Sequence, residues 1–205
     1  MDILFRQLLT GLILAVSSIT GVAQQNDHDS WKQWYTEGFL EDENSPLDSA
    51  GITFLQFYPY DTAWVVEADF SYSSDGSVFI MPTSNGRQKE YVRYGTATFV
   101  LNGISMQLTV FQSLKLREIP EYADYVFIPF NDDTNGTETY GGGRYLDLRF
   151  ADVEDHKLTI DFNRSYNPYC AYSDGYSCPV PPNENRLPVK VQAGEMLYGG
   201  MVPEH

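Results

Sequence analysis

Residues 63–71 read AWVVEADFS, and their alternation decides the fold. Trp64, Val66, Ala68 and Phe70 fall on one face and Val65, Glu67, Asp69 and Ser71 on the other, the period of two of a half-buried strand. The same phase recurs in Ile104, Met106, Leu108 and Val110, in Leu146, Leu148 and Phe150, in Leu158, Ile160 and Phe162, and in Leu187, Val189, Val191 and Ala193. Between the runs, Asp75-Gly76, Asn85-Gly86, Asn102-Gly103 and Asn135-Gly136 offer positive-φ positions for tight turns, so consecutive strands pair mostly antiparallel. No helical run of useful length separates them, which argues against parallel βαβ units. The expected fold is all-β, with about nine or ten strands in a barrel-like sheet and a sandwich as the alternative.

Upstream the pattern changes. Residues 24–50 are acidic and polar, and within them Trp31, Trp34, Tyr35 and Phe39 lie near helical spacing, with Asp29 or Ser30 as N-cap. One short helix laid against the domain is expected, its tryptophans serving for packing in preference to a ligand platform. Residues 1–23 have the layout of a signal peptide: Arg6, an apolar stretch from Leu8 to Val16, then Gly21 and Ala23 as the small residues before a cut after Ala23. The expected organisation is a signal peptide over 1–23, an acidic segment over 24–50 and a single β domain over 51–205. The mature chain would be periplasmic or secreted, without stable membrane insertion.

The chain has 205 residues, with 28 acidic against 13 basic side chains and a formal charge of -15. Such a balance repels phosphate backbones and anionic lipid surfaces, so nucleic acid is not an expected partner. An apolar content of 42% with 15% aromatics excludes a disordered chain. Acid concentrates in residues 27–48 and 118–155, whereas 156–205 holds five acidic and four basic groups. Six of the 15 tyrosines fall between Tyr140 and Tyr176, a density that suggests a recognition surface open to a neutral or weakly charged ligand.

Cys170 and Cys178 flank a short loop turned by Asp174-Gly175, and in an exported chain a disulfide is the first reading. Metal binding lacks ligands, because zinc wants four N or S donors and His28 and His205 lie near the chain ends. His156 alone remains to serve a Ser-His-Asp triad or a thiol nucleophile. No P-loop, dinucleotide fingerprint, HExxH or G-x-S-x-G occurs, so neither metal nor cofactor is expected.

Residues 127–148, FIPFNDDTNGTETYGGGRYLDL, and 161–195, DFNRSYNPYCAYSDGYSCPVPPNENRLPVKVQAGE, resemble the bacterial domain-of-unknown-function family 1684. FLQFYPYDTAWVVEADF (54–70) and YGTATFVLNG (94–103) fit the family's looser first half. The resemblance implies one exported or cytosolic β-rich domain and no assigned activity. Polar positions coinciding with the family signature are Thr134, Tyr140, Arg144, Tyr145, Asp161, Asn163, Asn167, Glu184, Asn185 and Glu195.

Strand phase sharpens some of these. Arg144 precedes Leu146 and Leu148 on their apolar side, so it must reach a rim, a carboxylate or a ligand. Asp161 and Asn163 fall on the face away from Leu158, Ile160 and Phe162, as a solvated or cross-strand pair or as part of a site. Three functions are then open. The first is a domain that binds a polar small molecule or glycan through Tyr140, Arg144, Tyr145, Asp161, Asn163, Asn167, Glu184 and Asn185. The second is a hydrolase of envelope polymers using a pair from Asp161, Glu184 and Glu195, each equally readable as a buried strut. The third is a structural envelope protein. Whether the chain is an enzyme and how it assembles are left open.

Overall fold

The computed structural model describes residues 24–202; the expected signal segment and its cleavage site lie outside the described residues. A helix, α1, covers 24–41. Eight strands follow: β1 Val65–Tyr72, β2 Phe79–Pro82, β3 Gln88–Leu101, β4 Ile104–Ser113, β5 Tyr125–Phe130, β6 Arg144–Arg149, β7 Val153–Glu154 and β8 Lys157–Asp161. They form one sheet in the order β6-β5-β4-β3-β1-β8-β7, with β2 also on β3, and every pairing is antiparallel. The alternation read from AWVVEADFS holds, since Ala68 and Phe70 are buried while Glu67 and Asp69 are exposed. Asn102 (φ 53°) and Gly103 (φ 76°) make the two-residue turn between β3 and β4, and the left-handed pair Asp155 and His156 joins β7 to β8.

The expected class holds: the domain is all-β and antiparallel with one short N-terminal helix. The strands number eight against the nine or ten expected, and the sheet is not closed, so "barrel-like" is a loose description of it. Its β6 end meets the segment after β8 at one point, where Tyr145 and Tyr166 exchange backbone N–H···O bonds of 2.9 and 3.0 Å. The expected last strand over 187–193 is also absent. Leu187, Val191 and Ala193 are buried as the alternation requires, but this segment is an extended strap that caps the core, joined to residues 131–133 by one isolated parallel bridge, Asn131–Arg186, and the bond from Asp133 N to Val189 O.

The main core lies inside the curved sheet, where Phe70, Phe99, Leu108, Ile128, Phe130 and Phe162 pack together beneath the strap. A second cluster of Met81, Tyr91, Phe111, Phe127 and Tyr145 covers the opposite face, which is why β5 reads YVFIPF with hardly a polar side chain. A third joins Phe39 of α1 and Leu47 to Ala171 and Tyr172, fixing α1 against the domain.

Candidate functional site

Arg144 enters the core at the start of β6, as its phase requires, and is completely buried. The carboxylate it reaches is Asp132, 2.8 Å from Nη2, and Nη2 also donates to Val191 O at 2.8 Å. Nη1 donates to Ala193 O and, at 3.2 Å, to Glu195 O. One guanidinium thus gathers three strap carbonyls that a neighbouring strand would otherwise satisfy, which explains the missing ladder. Asp132 in turn accepts from Thr134 N and Oγ1 and from Val191 N. The strap passes close over Ser165, and Gly194 (φ 72°) permits it, since a Cβ there would sit 2.4 Å from Ser165 O.

The other signature residues are mostly struts too. Asn185 is fully buried and bridges the strands where β4 and β5 part, accepting from Thr109 N at 2.7 Å and donating to Thr109 O and Pro129 O at 2.8 Å. Asn163, expected to face outward with Asp161, is instead buried in a 3₁₀ turn after β8, where its side chain binds both backbone groups of Asp61. Asp161 caps that turn and lies 3.5 Å from Arg164. Glu184 pairs with Arg93 at 3.1 Å, and Tyr140 packs beside the Ala171 and Tyr172 cluster.

Glu195 is fully buried and ties α1 to the domain. Its Oε1 accepts from Tyr172 Oη at 2.6 Å, and its Oε2 accepts from Tyr35 Oη on α1 and from Asn167 N, both at 2.9 Å. Burial pushes this carboxyl up to about 7 against the opposing pull of its donors. His28, expected near a loose end, is buried against Trp31 and Tyr60, and desolvation lowers its pKa.

A cleft of about 990 Å³ opens between α1, the β5–β6 end of the sheet and the 176–179 loop. The Cys170–Cys178 disulfide ties that loop to the 169–171 turn, and Ser84 holds it through Cys178 N and O. Trp31 and Trp34 of α1 line the cleft, and Trp34 is 66% exposed there, so it is not the packing residue expected. Trp31, Tyr35, Tyr166 and Tyr145 form a run of neighbouring rings with centroids 5.4, 5.5 and 5.9 Å apart.

Asp147 stands on the floor. It projects from β6 on the side opposite Leu146, and its Oδ1 accepts from both Tyr125 Oη and Tyr166 Oη at 2.6 Å. Asp147 is solvent-exposed in the cleft, yet the crowding of protein atoms around its carboxyl raises its pKa against the pull of the two phenols and Arg149. Burial, with the Asp147 charge added, drives the phenols of Tyr125 and Tyr166 well above their ordinary value, so they stay protonated donors. The cleft's arginines are already engaged, Arg149 with Asp124 at 2.6 Å and Arg164 with Asp27. A second cleft of about 710 Å³, lined by Asp161, Lys157 and Glu67, adjoins it and shares Asp147 and Arg164.

Of the expected site residues, Tyr145 lines the first cleft and Asp161 the second, while Arg144, Asn163, Asn167, Asn185, Glu184, Glu195 and Tyr140 line neither. Asp147 was not singled out by sequence reasoning, although the phase that buries Leu146 and Leu148 already turns it outward between Tyr145 and Arg149. Among the described residues no group of three His, Cys, Asp or Glu is arranged to hold a metal ion.

A family model described as "Protein of unknown function (DUF1684)" matches residues 51–196. The chain is also similar to an uncharacterised protein of Haloarcula marismortui solved by solution NMR, with 31% identity, 83% of this chain and 96% of that chain covered, and a TM-score of 0.61. No curated protein matches the chain.

Proposed function

We propose that this chain, which belongs to the DUF1684 family of proteins of unknown function, is an exported domain that binds a polar small molecule or glycan in the aromatic cleft around Asp147. The observation that carries the reading is a carboxylate fixed by two tyrosine hydroxyls on the floor of a solvent-open, ring-lined cleft, without an ion pair of its own among the described residues. Apolar walls with a few convergent polar groups are the usual composition of small-ligand sites. The hydrolase alternative has less support. Asp161, Glu184 and Glu195 share no cleft, and Glu195 is sealed under Tyr35 and Tyr172.

The binding test is a calorimetric panel of neutral saccharides, amines and carboxylates against the protein and its Asp147→Asn variant. A hit in the cleft should weaken by about tenfold or more in the variant, the scale of a hydrogen bond to a charged group. Hits that all keep their affinity in Asp147→Asn would remove the reading.

Export is supported by the signal layout of residues 1–23 and by the disulfide, which suits an oxidising compartment. N-terminal sequencing of the protein from a cell envelope fraction should read Gln24-Gln25-Asn26. A protein found in the cytosol with its first residues intact would contradict export.

A further inference from the structure

We infer that the group recognised at Asp147 is a protonated primary amine, a ligand class that rests on the binding reading above and narrows it. The hydrogens around the carboxylate set the polarity of the floor. Tyr125 and Tyr166 each have a single hydroxyl hydrogen, and each spends it on Asp147 Oδ1 at 2.6 Å. An ionised carboxylate only accepts. What the floor offers a ligand is therefore lone pairs: those of two phenol oxygens and of Asp147 Oδ2, which has no hydrogen-bond partner among the described residues. Such a floor calls for donors.

Charge points the same way. Arg149 is the cation whose charge acts on Asp147, and it is held by Asp124 Oδ1 at 2.6 Å and Glu121 O at 2.8 Å. Arg164 is engaged by Asp27 and Asp161. Lys89 also lines the cleft, and among the described residues it makes no ion pair with Asp147. An ammonium group brings three N–H donors and a positive charge to three acceptors, and the rings of Tyr166 and Tyr35 line the same cleft, where an alkyl stem would meet aromatic surface. A quaternary ammonium has no donor to give, and a sugar hydroxyl brings one donor without charge.

The amine can come from a free alkylamine or from a lysine side chain of a polypeptide, and the experiment separates these sources. The ¹⁵N-labelled mature protein is titrated with n-butylammonium, tetramethylammonium, n-butanol and a neutral disaccharide, then with cadaverine and with acetyl-Ala-Lys-Ala-amide. The expected result is perturbation of amides at Tyr125, 145–149, 164–167 and Tyr169 by n-butylammonium, with affinity about tenfold or more above tetramethylammonium and n-butanol. Asp147→Asn should erase that preference, and the wild-type ranking decides the matter even if the variant fails to fold. Tighter binding of cadaverine marks a free amine, and tighter binding of the tripeptide marks a peptide-borne one. Binding of n-butanol or the disaccharide in the cleft at equal or higher affinity overturns the ammonium inference and leaves the binding reading standing. Silence of the cleft toward all six probes overturns the inference, and the binding reading falls with it only if the wider calorimetric panel is silent too.

Discussion

Arg144→Ala should lower the unfolding free energy by about 3–5 kcal/mol in urea titrations, the usual scale for breaking a buried ion pair by removing one partner. The substitution leaves Asp132 charged in the interior with its guanidinium gone, and it strips donors from the carbonyls of Val191, Ala193 and Glu195. Arg144→Lys should recover little of the loss. An ammonium on a shorter fork cannot serve Asp132 and three carbonyls spread along the strap. If Arg144→Ala cost less than about 1 kcal/mol, the strap would have to be held by its apolar contacts and its own backbone N–H bonds, such as Val191 N to Asp132 and Leu187 N to Asn131 O, and the strut assignment would fail.

The second large effect is a pH dependence carried by Glu195. Its folded-state carboxyl sits at about 7, above the ordinary 4.5, so the native protein holds a proton that the unfolded chain has released between those values. Stability must then fall as pH rises from 4.5 to 7, by about 3 kcal/mol for this group. Glu138, at about 2, and the lowered Asp42 and Asp75 act in the opposite sense at lower pH, so the total curve is mixed. The difference between wild type and Glu195→Gln isolates the effect. The variant should gain on the wild type by about that amount between pH 4.5 and 7, with Tyr35 and α1 remaining docked. A difference that stays flat with pH would mean that Glu195 is ionised throughout.

The strands were legible because half-burial writes itself as alternation, and the turn at Asn102-Gly103 because two left-handed residues favour that pair. Arg144 was legible in phase but not in role. Its position predicted a carboxylate, a rim or a ligand, and only the fold brings Asp132 and the strap carbonyls to it. The strap shows the converse limit. Leu187, Val191 and Ala193 alternate as a strand does, yet alternation reports which side chains are buried and says nothing about what satisfies the backbone.

The cleft was less legible, for a physical reason. It is assembled from α1, β5, β6 and the segment after β8, and Tyr125, Asp147 and Tyr166 are far apart in sequence. Their outward phases are readable one by one, but their convergence depends on the Tyr145–Tyr166 bridge across the open side of the sheet. Polar density in the signature segment pointed mainly to struts, since Asn163, Asn185 and Glu195 spend their groups on backbone, Asp161 and tyrosines, and Asn167 donates its side-chain amide to Met196 O. The tyrosines of the same segment proved the better guide, with Tyr145, Tyr166, Tyr169 and Tyr176 all lining the cleft.

The most direct test of the Asp147 cleft as a binding site is a crystal structure of the protein with the tightest ligand from the calorimetric panel. The predicted result is a ligand donor about 3 Å from Asp147 Oδ2, with Tyr125 and Tyr166 still bonded to Oδ1. Ligand density elsewhere on the molecule, with the cleft filled only by solvent, would contradict it.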